Sequence, residues 1–473
     1  MKTRAVLLFS LGLLTALGAA LALGAGLLTP PLWADDWPQF RGADRTDVSR
    51  EKGLLQKWPK SGPKLLWTFK NTGIGFSGPA VVGDRLYIMG ARKDKAGKEV
   101  EYLLALDTTK TKNQELWAFP IGPIFTWKGN SYGDGPRGTP TVDGKRIYVL
   151  GGQGELVCVD ISGKQPKLGW RKNLPKDCGG KHMNLWGFCE SPLVDDKQLV
   201  FSPGGQKGTI MAVDKTSGKP IWRCTELKDE ATFGSMVPAD IGGVRQYVQT
   251  TFKGPGEGGR VIGVAAKDGK LLWSVDQKFD DTDVCATPIV VKDSVYLSGG
   301  RKAGCSLIHI TKKGKKFQAK VDPAYKKSPI RRVMDNEHGG VILLGNCLYG
   351  FSDSGSRSWV CQDLKTGKEI WSAPKRKLGR GCLTCAGGRF YLYTEDEGKV
   401  VLLEPTTTKK DGWKEHGRFE IPEKSKVSET RKSNSGAKIW THPVVANGRL
   451  YLRDQEYLFC YDVAANKAQR AKK

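Results

Sequence analysis

The sequence predicts one all-β domain: an eight-bladed β-propeller with four antiparallel strands per blade, closed by an N-terminal strand added to the last blade. Three observations lead there. Trp67, Trp117, Trp170, Trp222 and Trp273 recur at steps of 50, 53, 52 and 51 residues, and Phe317, Trp371 and Phe419 continue the series at 44, 54 and 48. Self-similarity at such a period marks a repeat architecture. Each period holds two hairpin patterns, hence four strands. Glycine makes up 59 of 473 residues, against about 7% in an average protein, without low-complexity runs, which supplies many tight turns.

The chain opens on a targeting segment that stands outside fold reasoning. Lys2 and Arg4 precede an uncharged apolar run from Ala5 to Leu28, followed by Pro30, Pro31 and Ala34. Residues 1–34 read as a signal peptide cut after Ala34. Leu32 is a poor match to a small residue at its place, and the run is long enough to span a bilayer, so an uncleaved anchor is the alternative. Residues 35–63 form a lead-in. The propeller covers 64–465. Its first hairpins open on proline, as in Gly78-Pro-Ala-Val-Val82, Thr139-Pro-Thr-Val142 and Thr287-Pro-Ile-Val290, and return through strands such as Arg85-Leu-Tyr-Ile88. The opening strands start near 79, 140, 192, 238, 288, 340, 384 and 443, which makes eight blades. The second hairpin is clearest in Ile210-Met-Ala-Val-Asp-Lys-Thr-Ser-Gly-Lys-Pro-Ile-Trp222. The last unit stops after three strands, while Lys64-Leu-Leu-Trp-Thr-Phe69 is an orphan Trp strand. Joining the two closes the ring and removes two open edges. Residues 466–473 are a basic tail.

Eleven cysteines in an exported chain suggest disulfides. Three do not read as bridge partners: Cys158, Cys361 and Cys460 share a repeat position that Ala105 and Ala212 fill elsewhere, a small buried slot. Cys178 with Cys189 is the expected bridge. Cys382-Leu-Thr-Cys385 has no second pair at zinc spacing and no histidine for haem attachment. No cysteine precedes Cys158, so none follows the leader to carry lipid. Gly73 to Gly78 spells Gly-x-Gly-x-x-Gly, but it precedes a strand and not a helix, so it carries no nucleotide reading.

These Trp-ended units resemble the quinoprotein-type repeats, also called PQQ-like or BamB-like, and Asp36-Trp-Pro-Gln-Phe-Arg-Gly42 resembles the start of exported bacterial members. The resemblance covers roughly residues 36 to 465. It implies a propeller, and it implies either a scaffold of outer-membrane protein assembly or a dehydrogenase with pyrroloquinoline quinone, calcium and a catalytic Asp in the axial funnel. The adjacent cysteine pair of several such dehydrogenases is missing here, and no calcium-binding or catalytic motif matches residue by residue.

In a propeller, the loops from the outermost strand of one blade to the innermost strand of the next surround the axial channel on one face. Here those loops carry Arg137, Asn184, Trp186, Glu190, Asn336, Glu337, His338, Trp440 and His442, the candidate ligand residues. Capping of strands is the plainer reading of the same side chains. Asp335-Asn-Glu-His338 with His442 offers metal-ligand types but no selecting spacing, so no metal is expected.

Charge gives the second clue. With 75 Lys and Arg against 49 Asp and Glu, the chain carries +26. Lys326, Lys327, Arg331 and Arg332 fall in one connecting loop, and Lys375, Arg376, Lys377 and Arg380 in the next, a basic face suited to an anionic partner. The expected function is therefore an exported, non-enzymatic binding or scaffold propeller of the periplasm or cell envelope. Its partner would be a protein, an anionic envelope polymer or a lipid surface. Nucleic acid is not expected, and neither is a cofactor; a monomer is. A PQQ-dependent dehydrogenase using calcium is the alternative.

Overall fold

A computed structural model of the protein describes residues 36–127, 130, 133–279, 284–285, 287–374, 378–429 and 438–465. The leader, the basic tail and the loop residues Lys375, Arg376 and Lys377 lie outside the described residues. Eight antiparallel sheets follow one another along the chain. Blade 1 is typical: Ala80–Val82 is innermost, then Arg85–Lys93, Glu99–Asp107 and, outermost, Glu115–Pro123. Blade 4 carries an additional two-residue strand, Glu230–Ala231, on Val244–Gly254. Blade 8 is closed as expected: Lys64–Phe69 pairs antiparallel with Tyr457–Asp462, placing Trp67 opposite Cys460.

The repeated sequence phrase has a direct structural cause. The outermost-strand Trp faces a small residue on the neighbouring strand: Trp117 faces Ala105, Trp170 Cys158, Trp222 Ala212, Trp273 Gly263 and Trp371 Cys361. A Cβ on Gly263 would stand 2.2 Å from the Trp273 indole nitrogen. Four indoles then reach the next blade, whereas Trp273 donates to Gln246 Oε1 of its own. Trp67 donates to Thr108 O, Trp170 to Lys215 O, Trp222 to Ala266 O and Trp371 to Thr406 O, all in turns on the face opposite the connecting loops. Asp214 holds one such turn by accepting from Ser217 N and Oγ, and Asp363 does the same with Thr366. Eight apolar clusters fill the spaces between adjacent blades, so the core is a ring and not one central mass.

Two expectations need correction. Phe317 continues the aromatic series but does not dock; Tyr325, eight residues later, donates to Leu364 O in the turn of blade 6 and takes the indole's place. Cys178 and Cys189 are not bridged. All eleven cysteines are free, Cys178 lies in the apolar core between blades 2 and 3, and Cys189 lines the axial cavity.

The lead-in proves to be structural in an unforeseen way. Residues 37–49 cross the axis of the ring as a plug. Trp37 forms a bridge with Val81 of blade 1, and Pro38 O accepts from Val142 N of blade 2. Arg45 donates to Ser191 O and Pro192 O at the start of blade 3 and to Met236 O before blade 4. Arg41 donates to Val341 O at the start of blade 6, and Val48 bridges Cys385 of blade 7. The innermost strands of blades 1, 2 and 7 thus gain main-chain partners on the edges that face the channel, and the carbonyls before blades 3, 4 and 6 gain arginine donors. The chain then leaves beside blade 8, where Leu55 N donates to Val463 O and Trp58 meets the Phe419 ring at 5.3 Å.

Candidate functional site

The connecting loops enclose a funnel of about 600 Å³ on the axis, with Trp37, Phe40 and Arg41 of the plug in its lining. The plug side is held by buried charge. Arg41 pairs with Asp47, and His442 Nδ1 lies 3.2 Å from Asp47 Oδ1. Burial would raise the Asp47 carboxyl, but Arg41 and His442 outweigh it and hold the pKa below the ordinary value.

One side of the funnel is a wall of planar groups. His338 stacks on Trp440 at 4.5 Å and 11°, Trp440 meets Phe76 at 5.0 Å, and the Arg137 guanidinium lies 5.3 Å from the Phe76 ring and 4.4 Å from Phe125. Arg137 donates to Gly133 O and Gly135 O, and burial lowers its pKa. The Phe76 loop can approach because Gly75 adopts φ +139°; a Cβ there would stand 2.8 Å from Pro136 O.

Next to this wall, Glu337 is clamped by Arg301 at 2.9 Å and Arg380 at 3.0 Å, and Arg380 also reaches Asp353. Burial lifts Asp353 to about 6 against the pull of Arg380. Trp440 Nε1 donates to Glu395 Oε2, and Lys438 pairs with Asp396. Continuing around the funnel from Arg137, the residues that open blades 2 to 5 form a hydroxyl belt. Thr139 N donates to Ser191 Oγ at 2.9 Å, Ser191 N to Ser235 Oγ at 3.0 Å and Ser235 N to Thr287 Oγ1 at 3.4 Å. Neighbouring blades are linked through the side chains that line the cavity.

Of the candidates read from the loops, Arg137, Trp186, Asn336, Glu337, His338, Trp440 and His442 line the funnel. Asn184 and Glu190 do not. Glu190 is buried behind it, accepting from Ser202 N and Gln249 Nε2, and burial raises it to about 7. Of the basic residues, Arg380 reaches the funnel. Lys326, Lys327, Arg331 and Arg332 do not, because their segment follows Tyr325 down between blades 5 and 6; Arg331 Nε is held by Ala303 O. Phe40, Arg41, Phe76 and Arg301 are lining residues that sequence reasoning missed. A charged pair inside a short lead-in, Arg41 and Arg45, was the available signal for the first two.

The donors for a metal are dispersed. Asp335 accepts from Lys302 N, Gly304 N and Ser354 Oγ, Glu337 is held by two arginines and His442 by Asp47. Among the described residues no three His, Cys, Asp or Glu groups could hold a metal ion.

Comparison with known proteins places the chain. A family model described as outer membrane protein assembly factor BamB matches residues 101–350, more than half of the 473. No curated protein sequence matches. Among solved structures, BamB from Moraxella catarrhalis is similar over 85% of this chain and 99% of its own, at 13% identity and a TM-score of 0.52. Quinohemoprotein alcohol dehydrogenase from Comamonas testosteroni is similar over 92% and 81%, at 12% identity and a TM-score of 0.59. A europium-containing methanol dehydrogenase reaches 0.57 at 14% identity, over 89% of each chain. At such identities these structures speak for the fold alone. The family match and the closed ring of eight blades agree, and the chain belongs to the BamB-like family of PQQ-type repeat propellers.

Proposed function

We propose that this protein is an exported, non-enzymatic binding propeller of the cell envelope, with the axial funnel as its ligand site. One observation carries the reading: the funnel's acidic groups are already matched by cations or hydrogen-bond donors, and its plug side is held by the protein's own buried Arg41–Asp47 pair. Such a lining binds and orients; it offers no general base with an unengaged carboxylate. Of the two cysteines in the lining, Cys189 and Cys285, the first is equally unsuited to attack, since burial pushes its thiol up to about 12. The family description, an assembly factor, favours a protein or envelope-polymer partner over a turnover role. The leader at residues 1–34 supports export, and among the described residues no helix is long and apolar enough to cross a membrane.

The test is a titration of the purified mature chain with pyrroloquinoline quinone and calcium, following absorbance and dye-coupled oxidation of alcohols and sugars. No turnover is expected. Stoichiometric quinone binding with substrate oxidation would replace this reading with the dehydrogenase one.

A further inference from the structure

We propose that the funnel takes an acidic saccharide, a hexuronate unit whose carboxylate meets the hydroxyl belt and Arg137 while its ring face lies on the Trp440–Phe76 wall. This deepens the reading of the funnel as a ligand site and rests on it.

The belt supplies the first observation. Ser191, Ser235 and Thr287 each accept a backbone N–H from the neighbouring blade, so a lone pair of each is engaged. Among the described residues none of the three donates its own proton, and all three line the cavity. Ser191 and Ser235 are each only 2% exposed. A buried hydroxyl fixed in this way presents a donor and demands an acceptor. Three in succession along one arc call for an acceptor-rich group.

Arg137 is the second. Its guanidinium lines the same cavity between two aromatic rings; among the described residues no carboxylate is in ion-pair contact with it, Glu101 and Asp134 act on it from beyond contact, and its hydrogen bonds go to two carbonyls. By contrast Arg41, Arg301 and Arg380 in the same lining each have a carboxylate. A buried guanidinium with no carboxylate in direct contact, two residues before a row of O–H donors begins at Thr139, favours an oxyanion, and its planar fork suits a carboxylate.

The body that carries the carboxylate follows from the rest of the lining. Stacked aromatic faces accept the C–H face of a sugar ring. Asn336, the Asp396–Lys438 pair and the Arg301–Glu337–Arg380 cluster offer planar donors and acceptors for ring hydroxyls. A peptide is disfavoured, because the innermost strands of blades 1 and 7 already pair with the plug and leave no edge there for main-chain addition. The volume, about 600 Å³, lies within the roughly 300–1,000 Å³ of small-molecule sites, so a short oligosaccharide end enters and a duplex or a folded domain does not.

The experiment titrates the mature protein at pH 7 with trigalacturonate, its methyl ester, neutral trigalactose and a sulfated disaccharide, by calorimetry and tryptophan fluorescence. Trigalacturonate is expected to bind at least tenfold more tightly than the other three. Arg137→Gln should bring it down to the level of the ester, and Arg137→Lys should restore part of the difference. Thr287→Val removes one O–H donor and only a 3.4 Å acceptor contact, so it is the variant least dependent on the fold; a three- to tenfold loss confined to the acid form is expected. Equal binding of acid and ester, preference for the sulfated sugar, or no binding of any of the four overturns the proposal. None of these results concerns turnover with a quinone, so this inference and the binding reading fail separately.

Discussion

Arg45 and Arg453 are buried arginines whose partners are carbonyls in several blades. Arg453, 1% exposed, donates to Gly73 O, Ser77 O, Met89 O and Gln455 O, which ties blade 8 to blade 1. Burial lowers it to about 9 and Arg45 to about 10. Two buried carboxyls show the opposite displacement. Glu101 accepts from Phe125 N and Gly152 N, Glu190 from Ser202 N, and burial lifts each from 4.5 to about 7. Arg137 and Glu155 face Glu101, and Arg45 faces Glu190. A carboxyl with a higher pKa folded than unfolded binds its proton more tightly in the native state. Its contribution is therefore full below about 4.5 and is lost as pH rises through 7. Each is worth at most about 3 kcal/mol over that window. Chemical denaturation should show stability falling between pH 5 and 8. Glu101→Gln should lower stability overall, since its amide would face an N–H donor, yet flatten that slope; an unchanged slope would refute the assignment. Glu190 was singled out as a ligand candidate for its place in a connecting loop, but it lies behind the funnel and not in its lining. Its role was not readable, because Gln249 and Arg45 come from distant parts of the chain.

At the scale of elements, the strands were legible and the plug was not. The Trp period, the small slot beside it and the proline openings all report contacts made within a blade or with the next, so they repeat and can be read. Tyr325 escaped because it substitutes once for a repeated feature from a segment outside the register, and Trp58 because it packs on Phe419 from the lead-in, which does not repeat. The plug occurs once, and its partners lie in blades along the whole chain. Removing residues 36–49 while keeping Leu54, Leu55 and the closing strand separates its contribution from closure. The variant should stay a propeller with unchanged far-ultraviolet circular dichroism. It should nevertheless lose at least about 5 kcal/mol, from the buried Trp37 and from charged hydrogen bonds worth roughly 1.5–3 kcal/mol each. Melting like the intact mature chain would mean that the plug is a passenger.

For the whole molecule, closure and charge pull in different directions. The ring brings Lys64–Phe69 against Tyr457–Asp462 and completes the last blade, which the orphan Trp strand announced in the sequence. Net charge of +26 then spreads over a closed surface, and the structure divides the basic residues differently from the loop register alone. Arg380 is engaged with Glu337 and Asp353 in the funnel, whereas Lys326 and Lys327 stand exposed away from it. Lys375, Arg376 and Lys377 lie outside the described residues, and a polyanion-binding role for them, as a proposal, rests on the sequence alone. Replacing these three by Gln should lower the salt needed to elute the protein from immobilised heparin. The control removes the same charge from the opposite face through Lys164, Lys219 and Lys368, each exposed in a hairpin turn. Exposed charges are screened beyond about 8–10 Å, so position matters only if the polymer settles on one face. A clearly larger shift from the loop set supports that face. Equal shifts from the two sets would mean that heparin reads total charge, and the loop would lose its claim.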